Sequence, residues 1–462
     1  MERLMIGVAG VRGVVGDGLT PEVVARWGAA FGTLVGAGAT LLVGRDARGS
    51  GPVVEDALVA SLRSVGCHVE RLGIVPTPTI QLAVAESDAA GGVAVTASHN
   101  PLTWNALKFI RRDGLFLTVE EGGRLRRIAD GGAASIAYVA HDALGRDVAR
   151  ADAAERHVAK ILALPYIDAA RIARRGFRVV VDCGNGAGSF VTPRLLERLG
   201  AEVVRLYCEP DGRFPRHAEP RAEHLGDLAR VVREAGADLG LAHDPDADRV
   251  VFVTGAGRAL AEEYSLAIAC EEVLSRRPGG VVVTNLSTSR MVDEIAARHG
   301  GRVERTPVGE AHVAHRMRAV GAAIGGEGNG GVIQPLVQLA RDGPAAAALV
   351  LECLAARART LEDLVAGLPS FAMVKREYGV EGFEPDAVRR RLEMRFGRGA
   401  ADTSDGMKLT WDKSWVHIRR SGTEPIVRVI AESPTQEETE ALVREVAAAF
   451  AGGAAQPAGH GG

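Results

Sequence analysis

The sequence predicts an α/β fold in which three related α/β domains are followed by a smaller C-terminal α+β domain. The chain has 462 residues, which suits roughly three or four domains of ~100–150 residues each. A unit of strand, polar or glycine-rich loop, helix and short strand occurs three times before about residue 370. Beyond that point the pattern changes to short strands separated by turns, which is typical of an α+β domain.

The three repeated units each open on an apolar strand and close on a shorter one. The opening strands are predicted at 40–43, 177–182 and 281–284, and the closing strands at 68–72, 202–206 and 302–306. Because the opening strands read as buried on both faces, we expect a mostly parallel sheet covered by helices. The C-terminal domain is predicted to contain strands near 376–378, 406–409 and 415–418 and a closing helix at 437–450.

These elements divide the chain into five predicted segments. The three α/β domains, which carry in turn a candidate nucleophile, an acidic loop and a glycine-rich loop, are expected at 1–147, 152–253 and 254–368. The α+β domain is expected at 372–451, and the Gly/Ala/Pro-rich tail at 452–462 is expected to be disordered.

Composition narrows the class of protein. The formal net charge is −3, which argues against a nucleic-acid binder held by bulk charge. No apolar run reaches the ~18 residues that a membrane helix needs, and the N-terminus shows no signal-peptide core. The five cysteines are scattered and form no CxxC pair, which fits a reducing cytoplasm rather than a disulfide framework or a zinc site. We therefore expect a cytoplasmic protein without nucleic-acid or membrane partners.

The stretch Asp-Pro-Asp-Ala-Asp-Arg at 244–249 places three carboxylates at a spacing of two residues. In an extended backbone Asp244, Asp246 and Asp248 would project to one face, so we expect them to converge on one cation. Crowded carboxylates repel each other unless a positive charge lies between them. Oxygen ligands of this kind suit Mg²⁺, Mn²⁺ or Ca²⁺ far better than zinc or copper.

Apolar runs at 237–242 and 250–253 flank the acidic loop, which favours a site over a solvated turn. Counting excludes an EF-hand, because position six would be Arg249 instead of Gly and position twelve would be Gly255 instead of Glu. Two interpretations stay open. The chain is either an aspartyl-phosphate phosphatase that uses Asp244 itself, or it carries a metal loop that serves a phosphoryl nucleophile elsewhere. The second interpretation predicts an exposed serine, anion-binding arginines and glycine loops.

The segment 93–101 is predicted to be a strand that ends in an exposed serine, Ser98, followed by a turn at Asn100-Pro101. Lys108 follows in a strand-like run, where a cation can stabilise phosphate or move a proton. A serine turn cap and a solvated lysine are the structural alternatives.

Two kinds of segment suit anions. Arg12 and the arginines of 44–48 are flanked by glycines and are candidate anion ligands, with surface arginines as the alternative. The segment 419–425, with Arg428 beyond it, combines hydroxyls, backbone N–H groups and guanidinium groups in a predicted phosphate pocket.

The glycine-rich segment 325–331 carries one carboxylate, Glu327, and one amide, Asn329. Glycines let the backbone approach a ligand closely, and the two side chains can hydrogen-bond hydroxyl groups. This composition suits a sugar, and a flexible turn is the alternative.

With these motifs in place, the chain resembles the α-D-phosphohexomutase superfamily along nearly its whole length. The matching segments occur in the family's order, one per domain: Thr-Ala-Ser-His-Asn-Pro at 96–101, Asp-Pro-Asp-Ala-Asp-Arg at 244–249, Gly-Glu-Gly-Asn-Gly at 326–330 and Arg-Ser-Gly-Thr-Glu-Pro at 420–425. The resemblance implies a heart-shaped protein in which three related mixed-sheet α/β domains and a smaller C-terminal α+β domain surround a central cleft.

The resemblance also implies residue roles. Ser98 would be the phosphoserine, and the catalytic group would further include Arg12, His99 and Lys108. One Mg²⁺ would be held by Asp244, Asp246, Asp248 and the phosphate on Ser98. Substrate would be bound by Arg249, Gly309, Glu327, Asn329, Arg419, Ser421, Gly422, Thr423 and Arg428. The chain departs from the family pattern at Glu310, where some members have His, and at Asn329 and Gly331 in the sugar loop.

The activity implied is transfer of a phosphoryl group between O6 and O1 of a hexose phosphate, with a hexose 1,6-bisphosphate as intermediate and activator. Glucosamine phosphate is the leading substrate, and glucose or mannose phosphate is the second candidate. The chain is expected to be a monomer or a homodimer. An aspartyl-phosphate phosphatase and a non-catalytic sugar-phosphate-binding protein remain the alternatives from other classes.

Overall fold

The computed structural model describes residues 4–7, 10–381, 383–421 and 426–449. Its strands form four sheets. The first contains β1 (Leu4–Ile6), β2 (Gly10–Val14), β3 (Thr40–Arg45), β4 (His68–Ile74), β5 (Gly91–Val95), β6 (Trp104–Arg111) and β7 (Asp147–Ala149). The helices of this part are α1 (Pro21–Val35), α2 (Gly51–Ser64), α3 (Thr77–Ala85) and α4 (Val119–Asp130). The strand order is β1-β2-β6-β5-β3-β4-β7, with β3 parallel to β4 and β5, and β6 antiparallel to β5.

The second and third sheets have four strands each. The second contains β8 (Arg178–Asp182), β9 (Glu202–Leu206), β10 (Leu239–His243) and β11 (Val250–Thr254), with helices α5 (Ala153–Leu162), α6 (Ala169–Arg175), α7 (Thr192–Arg198) and α8 (Gly226–Glu234). The third contains β12 (Val281–Asn285), β13 (Arg302–Thr306), β14 (Ile324–Glu327) and β15 (Gly331–Ile333). Its helices are α9 (Glu263–Arg276), α10 (Met291–Arg298), α11 (Glu310–Val320), α12 (Gly343–Arg357) and α13 (Leu361–Ala366). One hydrophobic cluster runs through both parts, from Val158 to Leu368.

The fourth sheet is antiparallel, in the order β16-β20-β19-β18-β17. Its strands are β16 (Ala372–Gly379), β17 (Ala400–Asp402), β18 (Met407–Thr410), β19 (Trp415–Arg420) and β20 (Ile426–Ser433). Helices α14 (Pro385–Phe396) and α15 (Gln436–Ala448) accompany it. The predicted α/β fold with a C-terminal α+β part is therefore confirmed, whereas the tail at 452–462 lies outside the described residues.

The three predicted strand–helix–strand units correspond to β3-α2-β4, β8-α7-β9 and β12-α10-β13, and in each unit the two strands pair in parallel. A further strand, β5, β10 or β14, lies parallel to the first strand of its unit and is followed by an antiparallel partner. The connections after these three strands, at 96–103, 244–249 and 328–330, therefore occupy equivalent positions. They carry Ser98, the aspartates and Asn329. Among the described helices none is long and apolar enough to cross a membrane.

Candidate active site

The acidic loop between β10 and β11 is a turn and not an extended strand. The oxygens of Asp244, Asp246 and Asp248 lie within 4.8 Å of one another, and all three residues are buried. Ala247 at the turn has a φ of 52°, a left-handed conformation that is uncommon for residues other than glycine. The carboxylates converge as predicted, but the predicted reason is wrong: the reversal at Ala247 brings them together, not the alternation of a strand.

The structure itself provides a test of whether these carboxylates suit a metal. Asp246 Oδ1 and Asp248 Oδ1 are buried and have no hydrogen-bond partner among the described residues, which is rare in folded proteins. Burial and the neighbouring aspartates hold the pKa of Asp244 well above its usual range. A hard divalent cation would give the two oxygens a partner and favour the ionised carboxylates. The aspartate group is therefore able to bind a metal.

Ser98 lies in the connection between β5 and β6 and donates its hydroxyl to Asp244, with 2.8 Å between Oγ and Oδ2. Its φ of 49° is left-handed, and its backbone N–H donates to Thr96 Oγ1 at 2.9 Å. Ser98 is only 6% exposed, so the prediction of an exposed serine is wrong. The strand and turn signals located the serine, but the acidic loop that covers it lies 146 positions further along the chain.

Arg48 holds the Ser98 turn in place. Its guanidinium donates to four backbone oxygens, three in this connection and one at the start of β6, at 2.5, 2.7, 2.6 and 3.0 Å: Ser98, Asn100, Pro101 and Trp104. Its Nε donates to Asp46 at 3.0 Å, and the residue is fully buried. Arg48 is thus neither the anion ligand nor the surface arginine that the sequence suggested. Its four backbone partners lie 50 to 56 positions away, and no local pattern indicates them.

Lys108 and Arg249 are two of the cations at the acidic loop. Lys108, on β6, lies 2.8 Å from Asp246 Oδ2. Burial opposes its charge, but Asp246 and a further aspartate outweigh burial and raise the pKa of Lys108. The backbone N–H of Arg249 donates to Asp244 Oδ1 at 3.2 Å, and its Nη1 lies 3.2 Å from Glu219 Oε1. The sequence did not indicate Glu219.

Arg12 and His99 contact the Ser98 connection. Arg12, on β2, donates from Nη1 to Asn100 Oδ1 at 3.5 Å. His99 Nδ1 lies 3.5 Å from Ser98 Oγ. Burial and the nearby Arg249 lower the pKa of His99 to about 3, so the imidazole beside the serine is neutral at neutral pH.

Glu327 is 2% exposed and is held by three donors. Its Oε1 accepts from Asn285 Nδ2 at 2.7 Å and from the Gly309 backbone at 3.0 Å, and its Oε2 accepts from Arg341 at 2.9 Å. Burial opposes ionisation, but Arg341 and Asn285 outweigh it and lower the pKa of Glu327. Asn329, in the following turn, accepts a hydrogen bond from a backbone N–H two positions on, at 3.2 Å. Glu327 and Gly309 are therefore brought together.

Arg341 was not indicated by the sequence, although it lies at the centre of this cluster. It contacts Glu327, Asp248 and Glu310. Burial raises the pKa of Glu310 to about 6. The only local signal for Arg341 is its place just before the Asp-Gly-Pro that begins α12.

The predicted phosphate pocket places Arg419 on β19 directly opposite Arg428 on β20. Each also has a carboxylate partner: Arg428 Nε lies 3.1 Å from Glu377 Oε1, and Arg419 Nη1 lies 4.0 Å from Asp405 Oδ2. Two adjacent guanidinium groups still suit a phosphate. Burial lowers the pKa of Arg419, and Arg428 adds to this effect. The Ser421 backbone N–H donates to the Ile426 oxygen at 2.9 Å. Gly422 and Thr423 lie outside the described residues.

Comparison with known proteins gives matches along nearly the whole chain. Four family models match in order, described as phosphoglucomutase/phosphomannomutase alpha/beta/alpha domain I (3–134), domain II (155–257), domain III (262–371) and C-terminal domain (379–449). A Methanopyrus kandleri protein named "Probable phosphoglucosamine mutase" is 40% identical over 94% of this chain and 95% of its own length. A Thermococcus kodakarensis "Phosphoglucomutase/phosphomannomutase" is 38% identical with the same shares covered. The crystal structure of a phosphoglucomutase/phosphomannomutase family protein from Burkholderia thailandensis is 28% identical, covers 98% of this chain and 100% of its own, and superposes with a TM-score of 0.83.

Proposed function

We propose that this chain, which belongs to the phosphoglucomutase/phosphomannomutase family and is an enzyme of the phosphomutase type, moves a phosphoryl group between O6 and O1 of a hexose phosphate. The group is carried by Ser98, and a hexose 1,6-bisphosphate is the intermediate and activator. The observation that supports this most directly is the 2.8 Å hydrogen bond from Ser98 Oγ to Asp244 Oδ2. It joins a nucleophilic hydroxyl to a carboxylate cluster that is able to bind a metal.

In the proposed reaction, the bond between the phosphorus and Ser98 Oγ breaks as a sugar hydroxyl forms a new bond to that phosphorus. The hydroxyl loses its proton as this bond forms, and the departing Ser98 Oγ takes up a proton, so Ser98 becomes a free hydroxyl. In the second transfer Ser98 Oγ loses that proton and takes the phosphoryl group from the other end of the bisphosphate, whose oxygen is protonated to a sugar hydroxyl. Lys108, Arg12 and Arg249 would stabilise the negative charge that spreads over the phosphoryl oxygens. One Mg²⁺ on the three aspartates and the Ser98 phosphate would supply further charge stabilisation. Arg419 and Arg428, with Ser421, Gly422 and Thr423, would bind the phosphate that is not transferred.

Glucosamine 6-phosphate to glucosamine 1-phosphate is the reaction we propose first. The name of the Methanopyrus kandleri relative supports it, as does the Glu-Gly-Asn-Gly-Gly loop at 327–331. The name of the Thermococcus kodakarensis relative supports glucose or mannose phosphate as the second candidate. We would measure kcat/KM for the three sugar 1-phosphates with the bisphosphate activator present. Glucosamine 1-phosphate as the poorest substrate would contradict the first choice.

The nucleophile is tested by the chemistry of the phosphorylated protein. Phosphoserine survives hydroxylamine, whereas an aspartyl phosphate is cleaved, so label that resists hydroxylamine on a peptide containing Ser98 supports the proposal. Label recovered at Asp244 would instead favour an aspartyl-phosphate phosphatase. Ser98→Ala is expected to abolish both labelling and mutase activity, whereas Ser87→Ala, a change on a surface turn, should leave them intact. Full activity in Ser98→Ala would rule out Ser98 as the carrier.

A further inference from the structure

Arg341 joins carboxylates that belong to different loops. Its Nη2 donates to Asp248 Oδ2 at 2.5 Å, and its Nη1 donates to Glu327 Oε2 at 2.9 Å. Its Nε lies at ion-pair distance from Glu310 Oε2, 3.2 Å away. Asp248 belongs to the acidic loop and Glu327 begins the glycine-rich turn, so one side chain bridges a proposed metal ligand and a proposed sugar contact.

The surrounding chain is shaped to admit this side chain. The Arg341 side chain is 11% exposed, and its backbone N–H also donates to Glu310 Oε1 at 3.3 Å. Gly331 lies against its aliphatic stem, because a Cβ on Gly331 would come within 2.2 Å of Arg341 Cδ. A larger residue at 331 would therefore force the stem of Arg341 to shift.

The geometry requires an arginine and not merely a positive charge. A guanidinium is planar and presents separate N–H groups in fixed directions, so it can bind two carboxylates at once, whereas a lysine ammonium is a compact point charge. Burial opposes the charge of Arg341, but Asp248, Glu310 and Glu327 outweigh burial and raise its pKa. Arg341 therefore remains charged, and its orientation is the property that a lysine would lose.

We propose that Arg341 is a positioning residue that couples metal binding at Asp248 to sugar binding at Glu327. This inference rests on the proposed function, since it takes Asp248 as a metal ligand and Glu327 as a sugar contact. Both carboxylates bind one guanidinium. A metal that binds Asp248, or a sugar that binds Glu327, therefore shifts Arg341 and with it the other carboxylate. By thermodynamic linkage, a bound sugar phosphate changes the affinity for metal by the same factor as the metal changes the affinity for the sugar phosphate.

The coupling is measured by titrating the full chain with Mg²⁺ by calorimetry, with and without saturating glucosamine 6-phosphate. We expect the two Kd values to differ by about fivefold or more in the wild type, and by less than about twofold in Arg341→Lys. Gly331→Ala, which leaves Arg341 in the sequence but crowds its stem, should act in the same direction. Arg316→Lys is the matched control, because Arg316 pairs with Glu304 on the surface, and it should keep the wild-type ratio.

Two results would overturn the coupling: a wild-type ratio retained in folded Arg341→Lys or Gly331→Ala, or a ratio near one in the wild type. Inorganic phosphate provides a further test, since it carries the charge of the ligand without sugar hydroxyls. An equal shift with inorganic phosphate would mean that the coupling does not pass through Glu327 and Arg341. Failure of the proposed function is distinguishable, because it appears as absent interconversion of sugar phosphates by the wild type, and the titrations require no turnover.

Discussion

The position of the Ser98 hydroxyl depends on one buried side chain. The left-handed Ser98 backbone costs about 1–3 kcal/mol unless its surroundings fix it, and Arg48 fixes it through four backbone oxygens. We predict that Arg48→Met lowers kcat by about 100-fold, because small misplacements of a reacting group cost that much. It should also destabilise the fold by about 3–5 kcal/mol, because Asp46 is left as a buried, unpaired charge. Mutase kinetics and urea unfolding measure the two effects.

Arg45→Met separates these two effects. Arg45 lies three positions before Arg48 and pairs with Glu55 at 3.0 Å. It does not bind the backbone oxygens that Arg48 holds. We expect it to lower the free energy of unfolding while kcat stays near the wild-type value. An equal loss of kcat in both variants would show that Arg48 acts through general stability alone.

The buried carboxyl of Glu263 should make the free energy of unfolding depend on pH. Burial raises its pKa from 4.5 to about 8. A carboxyl with a raised folded pKa contributes stability that is present below its unfolded pKa and is lost as pH rises through its folded pKa. Between these two values the free energy of unfolding should therefore fall, by on the order of a few kcal/mol.

We predict that Glu263→Gln removes this slope, because glutamine still accepts the Ser289 N–H but does not ionise. Urea unfolding should show the variant near the wild type at about pH 5 and more stable than it at about pH 9. Glu262→Gln is the neighbouring control and should keep the wild-type slope. The same slope in Glu263→Gln would assign the effect to another group.

At the scale of single elements, the sequence predicted those helices and strands that have a clear local pattern of apolar residues. The strands of the three repeated units are buried runs such as β8 and β12, and their positions agree with the prediction. The prediction omitted α14, whose exposed face is highly charged and whose only buried residues are Val388 and Leu392. It also omitted β20, although Val427, Val429 and Ala431 alternate as a strand requires. The prediction also missed the turn at 244–249, although Asp244-Pro245 favours the start of a turn. Only the left-handed conformation of Ala247 has no signal in the sequence, because alanine rarely adopts it.

The facing arginines of β19 and β20 give a prediction about this strand pair. Arg419 lies opposite Arg428, and each also pairs with a carboxylate, Asp405 and Glu377 respectively, so Arg419→Gln should change stability in phosphate-free buffer by less than about 1 kcal/mol. Inorganic phosphate at about 100 times its Kd should stabilise the wild type by about 2.7 kcal/mol and the variant much less. Thermal unfolding with and without phosphate measures this. Arg376→Gln on β16, which pairs with Glu440, should respond to phosphate like the wild type, and an equal response of Arg419→Gln would contradict the pocket.

At the scale of the whole molecule, the site is assembled by contacts that no local pattern encodes. The repeated unit could be recognised in the sequence. Each unit has the same order of four strands, so each has a loop at the same place in its sheet. The contact between these loops could not be predicted from the residues themselves. Ser98 and Asp244 are 146 positions apart, and Asp248 and Arg341 are 93 apart. The assembly of the loops was predicted only from the resemblance of the motifs, in their order, to a known family.

The fourth sheet is held against the third part of the chain by polar contacts beside the proposed sugar site. Asp405 accepts the Val308 backbone N–H at 2.9 Å, and His417 Nδ1 lies 2.8 Å from Ser287 Oγ. Gly309, next to Val308, donates to Glu327. Asp405 therefore fixes the backbone on which the Glu327 contact depends, and its loss should loosen that backbone first.

We predict that Asp405→Ala increases amide hydrogen exchange at 306–310 by about tenfold, the equivalent of one lost hydrogen bond to a charged group. KM for the hexose phosphate should rise, because Glu327 loses a fixed donor, while exchange at 244–249 should stay unchanged. Asp402→Ala is the matched control, since Asp402 is exposed on the same sheet and its side chain accepts hydrogen bonds from the nearby Ser404. Unchanged exchange at 306–310 in Asp405→Ala, or an equal rise in both variants, would mean that the fourth sheet does not set the backbone of the sugar site.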